Sequence, residues 1–302
     1  MSLRSHLRGT IERALCALPS RTRGGDRLVL AYHNVVPAQW GPGGDGSLHL
    51  SIDRFVEQIR LIREEADIVP LMELLTTFES KRKRVAITFD DAYASALEIG
   101  VRTCVVAKAP CTVFVTPGLL GCVPYWDQAA NAGAWSTSDR EYFLWHERGM
   151  PPEGELTAGT SADTVLRIAD DAQLGQLANQ PLVSIGNHTM QHYNLGALKS
   201  HEADAEIISA GQWLRQRFPT QYVPVLAYPF GMSATGAGLS DWYKEIEFAL
   251  CVTGGWIPAD VSPERTQVPR WNVPAGVSAD GFRLRLRGRL GSRRNVYARS
   301  AR

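Results

Sequence analysis

The stretch Val85-Ala86-Ile87-Thr88-Phe89-Asp90-Asp91 constrains the fold of this chain more than any other. A run of β-formers ends abruptly in two adjacent carboxylates. A buried strand delivers acids to the end of a sheet or barrel in this way. Successive strand side chains point to opposite faces, so neighbouring acids can take different tasks, one holding a metal and the other handling a proton. Taken alone, the pair also reads as a strand end followed by an Asp helix cap. The rest of the chain decides between these readings.

Other short apolar runs repeat the arrangement. Leu28–Tyr32 ends at His33, and Cys111–Val115 follows Pro110. Leu182–Ile185 leads directly into Gly186-Asn187-His188-Thr189-Met190-Gln191-His192, and Pro224–Tyr228 into Pro229-Phe230-Gly231. Phe248–Val252 and Val268–Val273 read as further strands, and Ile68–Val69 as a short one. Helical patterns lie between them: Asp53–Glu65 with Phe55, Ile59 and Ile62 on one face, Leu71–Phe78, the segment from Asp91 through Val106, residues 164–178, and Glu202–Phe218. Strand alternating with helix predicts an α/β protein with a parallel sheet or a β/α barrel. The stretch 122–163 breaks the alternation. It carries Trp126, Trp135 and Trp145 and is read as an insertion over one end of the sheet, its aromatics facing a sugar or building a small core of their own.

Composition narrows the class. A net charge of +1 over 302 residues implies no nucleic-acid partner. Five isolated Cys without a Cys-x-x-Cys pair suggest neither a disulfide framework nor a cysteine zinc site, and fit a reducing compartment. No apolar run approaches the roughly 20 residues of a membrane span. Leu3, Leu7, Ile11, Leu15 and Leu18 recur at helical spacing with Arg4, Arg8 and Arg13 between them, which predicts an N-terminal helix packed on the domain or lying on a membrane surface. Residues 283–302 carry eight Arg and no acid. The run Lys81-Arg82-Lys83-Arg84 reads as a solvated face. The expected organisation is an N-terminal helix and linker over 1–27, a main domain over 28–275 with the insertion, and a basic C-terminal tail over 276–302.

His188 and His192, four apart, fall on one face of a helical turn or let a loop wrap an ion. Two neutral imidazoles and one carboxylate form a plausible site for a divalent metal that leaves positions open for water and substrate. His33, Asp90-Asp91, His188/His192 and Phe230-Gly231 each follow a strand, so all would converge on the face of a β/α barrel that carries active sites.

These pieces resemble the polysaccharide deacetylases of the NodB-homology type, carbohydrate esterase family 4. The resemblance rests on Ala31-Tyr32-His33, Thr88-Phe89-Asp90-Asp91-Ala92-Tyr93, His188-Thr189-x-x-His192, Ala227-Tyr228-Pro229-Phe230-Gly231 and Pro269-Arg270, in the family's order over about 28–275. In style the motifs are closest to poly-N-acetylglucosamine deacetylases. The resemblance implies a distorted (β/α)7 barrel, a divalent metal, and hydrolysis of an acetyl group from an N-acetylated sugar of a glycan or glycan precursor. It assigns Asp91, His188 and His192 to the metal, Asp90 to the catalytic base, and the Phe230 N–H to the oxyanion. Zinc leads the expected metals, with Co2+, Ni2+, Mn2+ and Fe2+ behind it.

Three departures bear on the site. Ala92 stands where the family has Gly, so a positive φ there would be strained. Ala227 stands where many members carry the Arg that orients the base; Arg270 is the expected substitute, its alternative being a surface salt bridge. The family's late Leu-x-x-His is missing, and no His follows His201. His33 is then the expected general acid or positioning partner of Asp90, with an insertion residue such as His146, or a metal-bound water, as its rivals. Two other functions fit parts of the pattern: a non-catalytic sugar-binding relative, and an iron oxygenase with two His and one carboxylate. The absence of an export signal points to a cytoplasmic enzyme acting on a precursor, with peripheral membrane contact through its basic termini.

Overall fold

The computed structural model describes residues 3–131, 164–231 and 244–289, apart from positions 23, 42, 79 and 253. Trp135, Trp145, His146 and residues 290–302 lie outside the described residues.

Seven strands form a closed parallel barrel: β1 (Arg27–Tyr32), β5 (Arg84–Phe89), β6 (Cys111–Val115), β7 (Val183–Asn187), β8 (Tyr222–Ala227), β9 (Phe248–Cys251) and β10 (Val268–Asn272). Closure comes from β1, which pairs with β10 on one side and β5 on the other. The short β4 (Asp67–Ile68) adds to β5, while β2 (Asn34–Val36) and β3 (His49–Ser51) pair with each other outside the barrel. The expected (β/α)7 barrel is thus the fold.

The strand sequences explain the two faces. Both faces of a parallel barrel are covered, so its strands are apolar throughout rather than alternating; every residue of β1, β5 and β6 is buried. Side chains still alternate in where they go. Val29, Ala86, Phe114, Val225, Ala227, Leu250 and Val268 make one cluster inside the barrel. Leu28, Leu30, Val85, Ile87, Phe89 and Val113 make another, packed with the helix Ile52–Glu65 through Phe55, Ile59 and Ile62. Phe114 needs room inside: a Cβ on Gly186 would stand 2.3 Å from its ring. The helix Leu71–Thr76 plugs the end where the strands start, placing Leu71, Leu74 and Leu75 in the interior cluster. Arg27, fully buried at the start of β1, donates to the carbonyls of Leu74, Pro258 and Val261 at that end.

Some sequence expectations change. Residues 164–178 are not one helix: only Asp171–Gly175 is α-helical, followed by a 3-10 turn over Gln176–Asn179. Upstream, Ile168 bridges Tyr93 in antiparallel fashion, and the Ala169 N–H goes to the Ala92 carbonyl. Those backbone groups are spent on a neighbouring loop and are lost to a helix. The Lys81–Arg84 run is not simply solvated either. Arg84 is buried and bonded to the Thr77 carbonyl, and Lys83 reaches Glu65, Ser20 and the Leu286 carbonyl. Of the basic segment, Ala279–Leu286 is a helix packed on the helices Leu3–Cys16 and Ile52–Glu65. Among the described residues no helix is long and apolar enough to cross a membrane.

Candidate active site

The site gathers where the parallel strands end. On β5 the ladder runs one residue past Phe89, the Asp90 N–H donating to the Tyr32 carbonyl at 2.8 Å. Asp90 continues the interior parity of Ala86 and Thr88. The chain then turns through two left-handed residues, Asp91 (φ 67°) and Ala92 (φ 59°), and this turn separates the two acids.

Arg270 Nη1 donates to Asp90 Oδ1 at 2.6 Å, and the other oxygen, Oδ2, lies 3.9 Å from His33 Nε2. Asp90 and Arg270 are both buried, which rules out a surface salt bridge, whereas His33 keeps 17 % of its side chain exposed. Burial alone would raise the Asp90 pKa. The Arg270 guanidinium, with His188 and His33, outweighs it and holds the carboxyl below its ordinary value. Arg270 comes from β10, on the far side of β1 from Asp90, with its guanidinium 5.8 Å from the Phe114 ring centroid.

Asp91 faces a different set. Its Oδ1 lies 3.4 Å from His188 Nε2 and 3.3 Å from His192 Nε2, and one donor atom from each of the three residues fits within a 4.8 Å span. All three residues are buried. The donor chemistry fits a divalent cation. His188 Nδ1 is 2.7 Å from the Ala227 carbonyl, so that nitrogen carries a proton, and in the neutral ring Nε2 presents a lone pair. Asp91 Oδ1 is buried without a hydrogen-bond partner. Lone pairs converging on an orphaned carboxylate oxygen repel one another unless a cation lies between them. His192 suits the same role: burial, with the neighbouring His188, pushes its pKa down to about 3 and keeps the ring neutral.

The loop carrying both His is built, not draped. A register shift between Ile185 and Asn187 bends β7 just before it. Buried Asn187 then accepts from the Thr189 N–H at 2.8 Å and donates to the Ile207 carbonyl at 2.8 Å. Thr189 Oγ1 accepts from the His192 N–H at 3.1 Å, and Glu206 takes the Met190 and Gln191 N–H groups on its carbonyl and carboxylate. The helix Ser200–Arg217 thus holds the loop, with Thr189 and His192 themselves left-handed. Of the two geometries the His spacing allowed, this is the loop.

Phe230, also left-handed at φ 57°, sets its ring 4.8 Å from His192. Trp126 lies on His192 at 4.6 Å, and the Tyr125 hydroxyl is 3.4 Å from its Nδ1. The structure therefore brings His33, Asp90, Asp91, His188, His192, Phe230 and Arg270 into one cluster. The sequence reading puts Trp126 in the insertion, facing a sugar or in a small core of its own, whereas it is buried against His192; that reading gives no role to Tyr93, Tyr125, Asn187 and Glu206. Apart from the local Asn187–Thr189 bond, these act through long-range contacts, for which no local pattern exists.

The parallel barrel thus gathers buried His, His and Asp at the ends of its strands. The sequence profile of the family described as polysaccharide deacetylase matches residues 78–237. The chain belongs to the polysaccharide deacetylase family, and it is a hydrolase of the carbohydrate N-deacetylase class. A search of curated proteins gives no match. Among solved structures, the chain is similar in fold to the Streptococcus pyogenes deacetylase PplD in complex with acetate (TM-score 0.59, 15 % identity, covering 85 % of this chain and 96 % of that one). It is likewise similar to IcaB from Ammonifex degensii (0.58, 18 %, 89 % and 99 %) and to the BpsB deacetylase domain from Bordetella bronchiseptica (0.54, 16 %, 84 % and 98 %).

Proposed function

We propose that the protein is a metal-dependent hydrolase that removes the acetyl group from an N-acetylated sugar of a glycan or glycan precursor. The observation that carries this reading is the pairing of two unlike acids. Asp91 faces two imidazole nitrogens, and Asp90, its chain neighbour, faces a cation and a histidine.

Asp91, His188 and His192 would hold the ion, with zinc the leading candidate for this donor set. When bound, a divalent ion supplies Lewis acidity at the acyl group. The chain's own residues do the rest. Asp90, kept ionised by Arg270, takes a proton from the attacking water. The Phe230 N–H donates to the oxygen of the tetrahedral intermediate. His33, beside Asp90 and more open to solvent, gives a proton to the sugar nitrogen as the carbon–nitrogen bond breaks, releasing acetate and the free amine. The unit proposed to carry this activity spans 28–275. Exposed Leu7 and Ile11 beside Arg8 and Arg13 support a second proposal, that a cytoplasmic enzyme touches a membrane through its basic termini; sedimentation with anionic vesicles tests it.

The function is tested by acetate release across a panel of N-acetylated oligosaccharides, nucleotide sugars and lipid-linked sugars. At least one should be turned over by the wild type and far more slowly by Asp90→Asn. Tight sugar binding without acetate release on any of them would make the protein a sugar-binding relative instead.

A further inference from the structure

Asp127 lies in the first turn of the helix Tyr125–Asn131. An acid there is ordinarily a solvated complement to the helix dipole. This one is fully buried, and it joins its own helix to two other segments. Its Oδ1 accepts the Asp45 N–H at 2.7 Å and lies 3.1 Å from His49 Nε2. Its Oδ2 accepts the Tyr93 hydroxyl at 2.7 Å, and the Tyr93 oxygen in turn accepts Trp126 Nε1–H at 2.6 Å. Gly44 belongs to the same construction: it is left-handed, and a Cβ on it would stand 2.3 Å from Asp127 Oδ1. The backbone of the Gly- and Pro-rich loop over 37–47 can therefore close on the carboxylate only because position 44 lacks a side chain.

The segments it joins follow three barrel strands. The 37–47 loop comes after β1 and β2, Tyr93 comes two residues past the pair that ends β5, and the Tyr125–Asn131 helix follows β6. All three therefore belong to the mouth that holds the site. We propose that Asp127 is the positioning residue of this mouth, one arm of its carboxylate fixing the wall against His192 and the other fixing the substrate rim formed by 37–47. This rests on the metal-dependent reading above. The Oδ2 arm runs through Tyr93 to Trp126, whose ring lies on His192, so it orients a ligand from outside the coordination sphere. The Oδ1 arm runs through His49 and Asp45 to the loop that carries Trp40, whose ring meets His49 edge-on at 5.2 Å. The chemistry needs a carboxylate. Three donors converge on it, and an amide would turn N–H groups toward one of them.

The test separates the arms. Zinc affinity is measured by competition with a chromophoric chelator, and loop order by the rate of limited proteolysis within 37–47, on wild type, Tyr93→Phe, His49→Ala, Asp127→Asn and the double variant Tyr93→Phe/Asp127→Asn. Tyr93→Phe should weaken zinc binding by about 10-fold, the low end for a partner outside the coordination sphere because it acts through the Trp126 ring, and leave the loop's cleavage rate unchanged. His49→Ala should do the reverse, speeding cleavage and raising KM at unchanged zinc affinity. Asp127→Asn should do both, and the double variant should bind zinc no more weakly than the weaker single one, as expected for a shared path. An Asp127→Asn protein that melts earlier but keeps zinc affinity and cleavage rate within twofold of wild type would show a plain structural brace and overturn the proposal. If Asp127→Asn does not fold, the two single-arm variants decide, and movement of both readouts in each of them overturns it. If wild type takes up no zinc, the metal-dependent reading fails on its own. The rim arm is then judged by proteolysis, with unchanged cleavage in Asp127→Asn counting against it.

Discussion

Asp90 and Asp91 are neighbours in the chain and are equally buried, yet they meet different partners because the backbone turns left-handed between them. That turn carries a cost. An L-residue at positive φ is disfavoured by roughly 1–2 kcal/mol, and among the described residues Asp91, Ala92, Thr189, His192 and Phe230 adopt it, all at the site; Lys108 is the exception. Strain gathered at the residues proposed to face the metal and the acyl group is the pattern of a functional site held in place by its surroundings. Ala92→Gly should relieve part of it. Losing one buried methyl and freeing the unfolded chain offset the gain, so the expected effect on stability is a rise of up to about 1 kcal/mol, read from denaturant midpoints. A fall of that size would mean that Ala92 fits its place better than its φ suggests. Arg270 offers a second prediction at this scale. Burial raises the Asp90 pKa while Arg270 leads the groups that bring it below its ordinary value, so Arg270→Gln should raise it. The acid limb of kcat/KM against pH should then move to higher pH. A limb that stays in place would remove Asp90 as the base.

At the scale of elements, the helix Ala279–Leu286 is tied to the helix Ile52–Glu65 through Glu64, 2.7 Å from Arg283, and through the more buried Glu65. Arg287 lies 2.7 Å from Glu65, Arg283 3.4 Å and Lys83 3.7 Å. Burial would raise the Glu65 pKa, but Arg287 and the other cations lower it overall. A carboxylate depressed on folding contributes stability that is present above its unfolded value, near 4.5, and is lost as pH falls through the lower folded one. Wild type should therefore lose stability below pH 4.5 faster than Glu65→Gln, measured as melting temperature against pH. Parallel curves would show that the cluster contributes nothing.

The same scale shows what the sequence could carry. The strands β1, β5 and β7 are legible because nearly every residue in them is buried, leaving largely apolar runs such as Val85–Phe89, and because their ends bear His33, Asp90 and His188. The 164–170 stretch was misread as helix because Leu166, Ile168 and Ala169 are buried for a different reason, the bridge to Tyr93. Asp127 and His49 were invisible as a pair: they lie 78 positions apart and meet only once three mouth loops converge. Arg270, by contrast, was reachable, because its motif suggested the substitution for the Arg missing at Ala227 before any geometry was known.

For the whole molecule, the barrel brings residues from β1, β5, β7, β8 and β10 to one mouth, and sequence order alone would scatter them over some 240 positions, from His33 to Arg270. Family membership makes the chain a carbohydrate deacetylase. The central claim is that its activity depends on a divalent ion held by Asp91, His188 and His192. It is tested most directly by stripping metal from the purified protein with a chelator, restoring it with graded zinc, and following bound zinc and acetate release together. The account predicts about one ion per chain, with activity lost on stripping and regained in proportion to occupancy. Asp90→Asn should bind zinc as wild type does but turn over about 10²–10⁴-fold more slowly, and His188→Ala should lose both. Full activity in the stripped protein, or zinc binding that survives His188→Ala and is lost in Asp90→Asn, would contradict it.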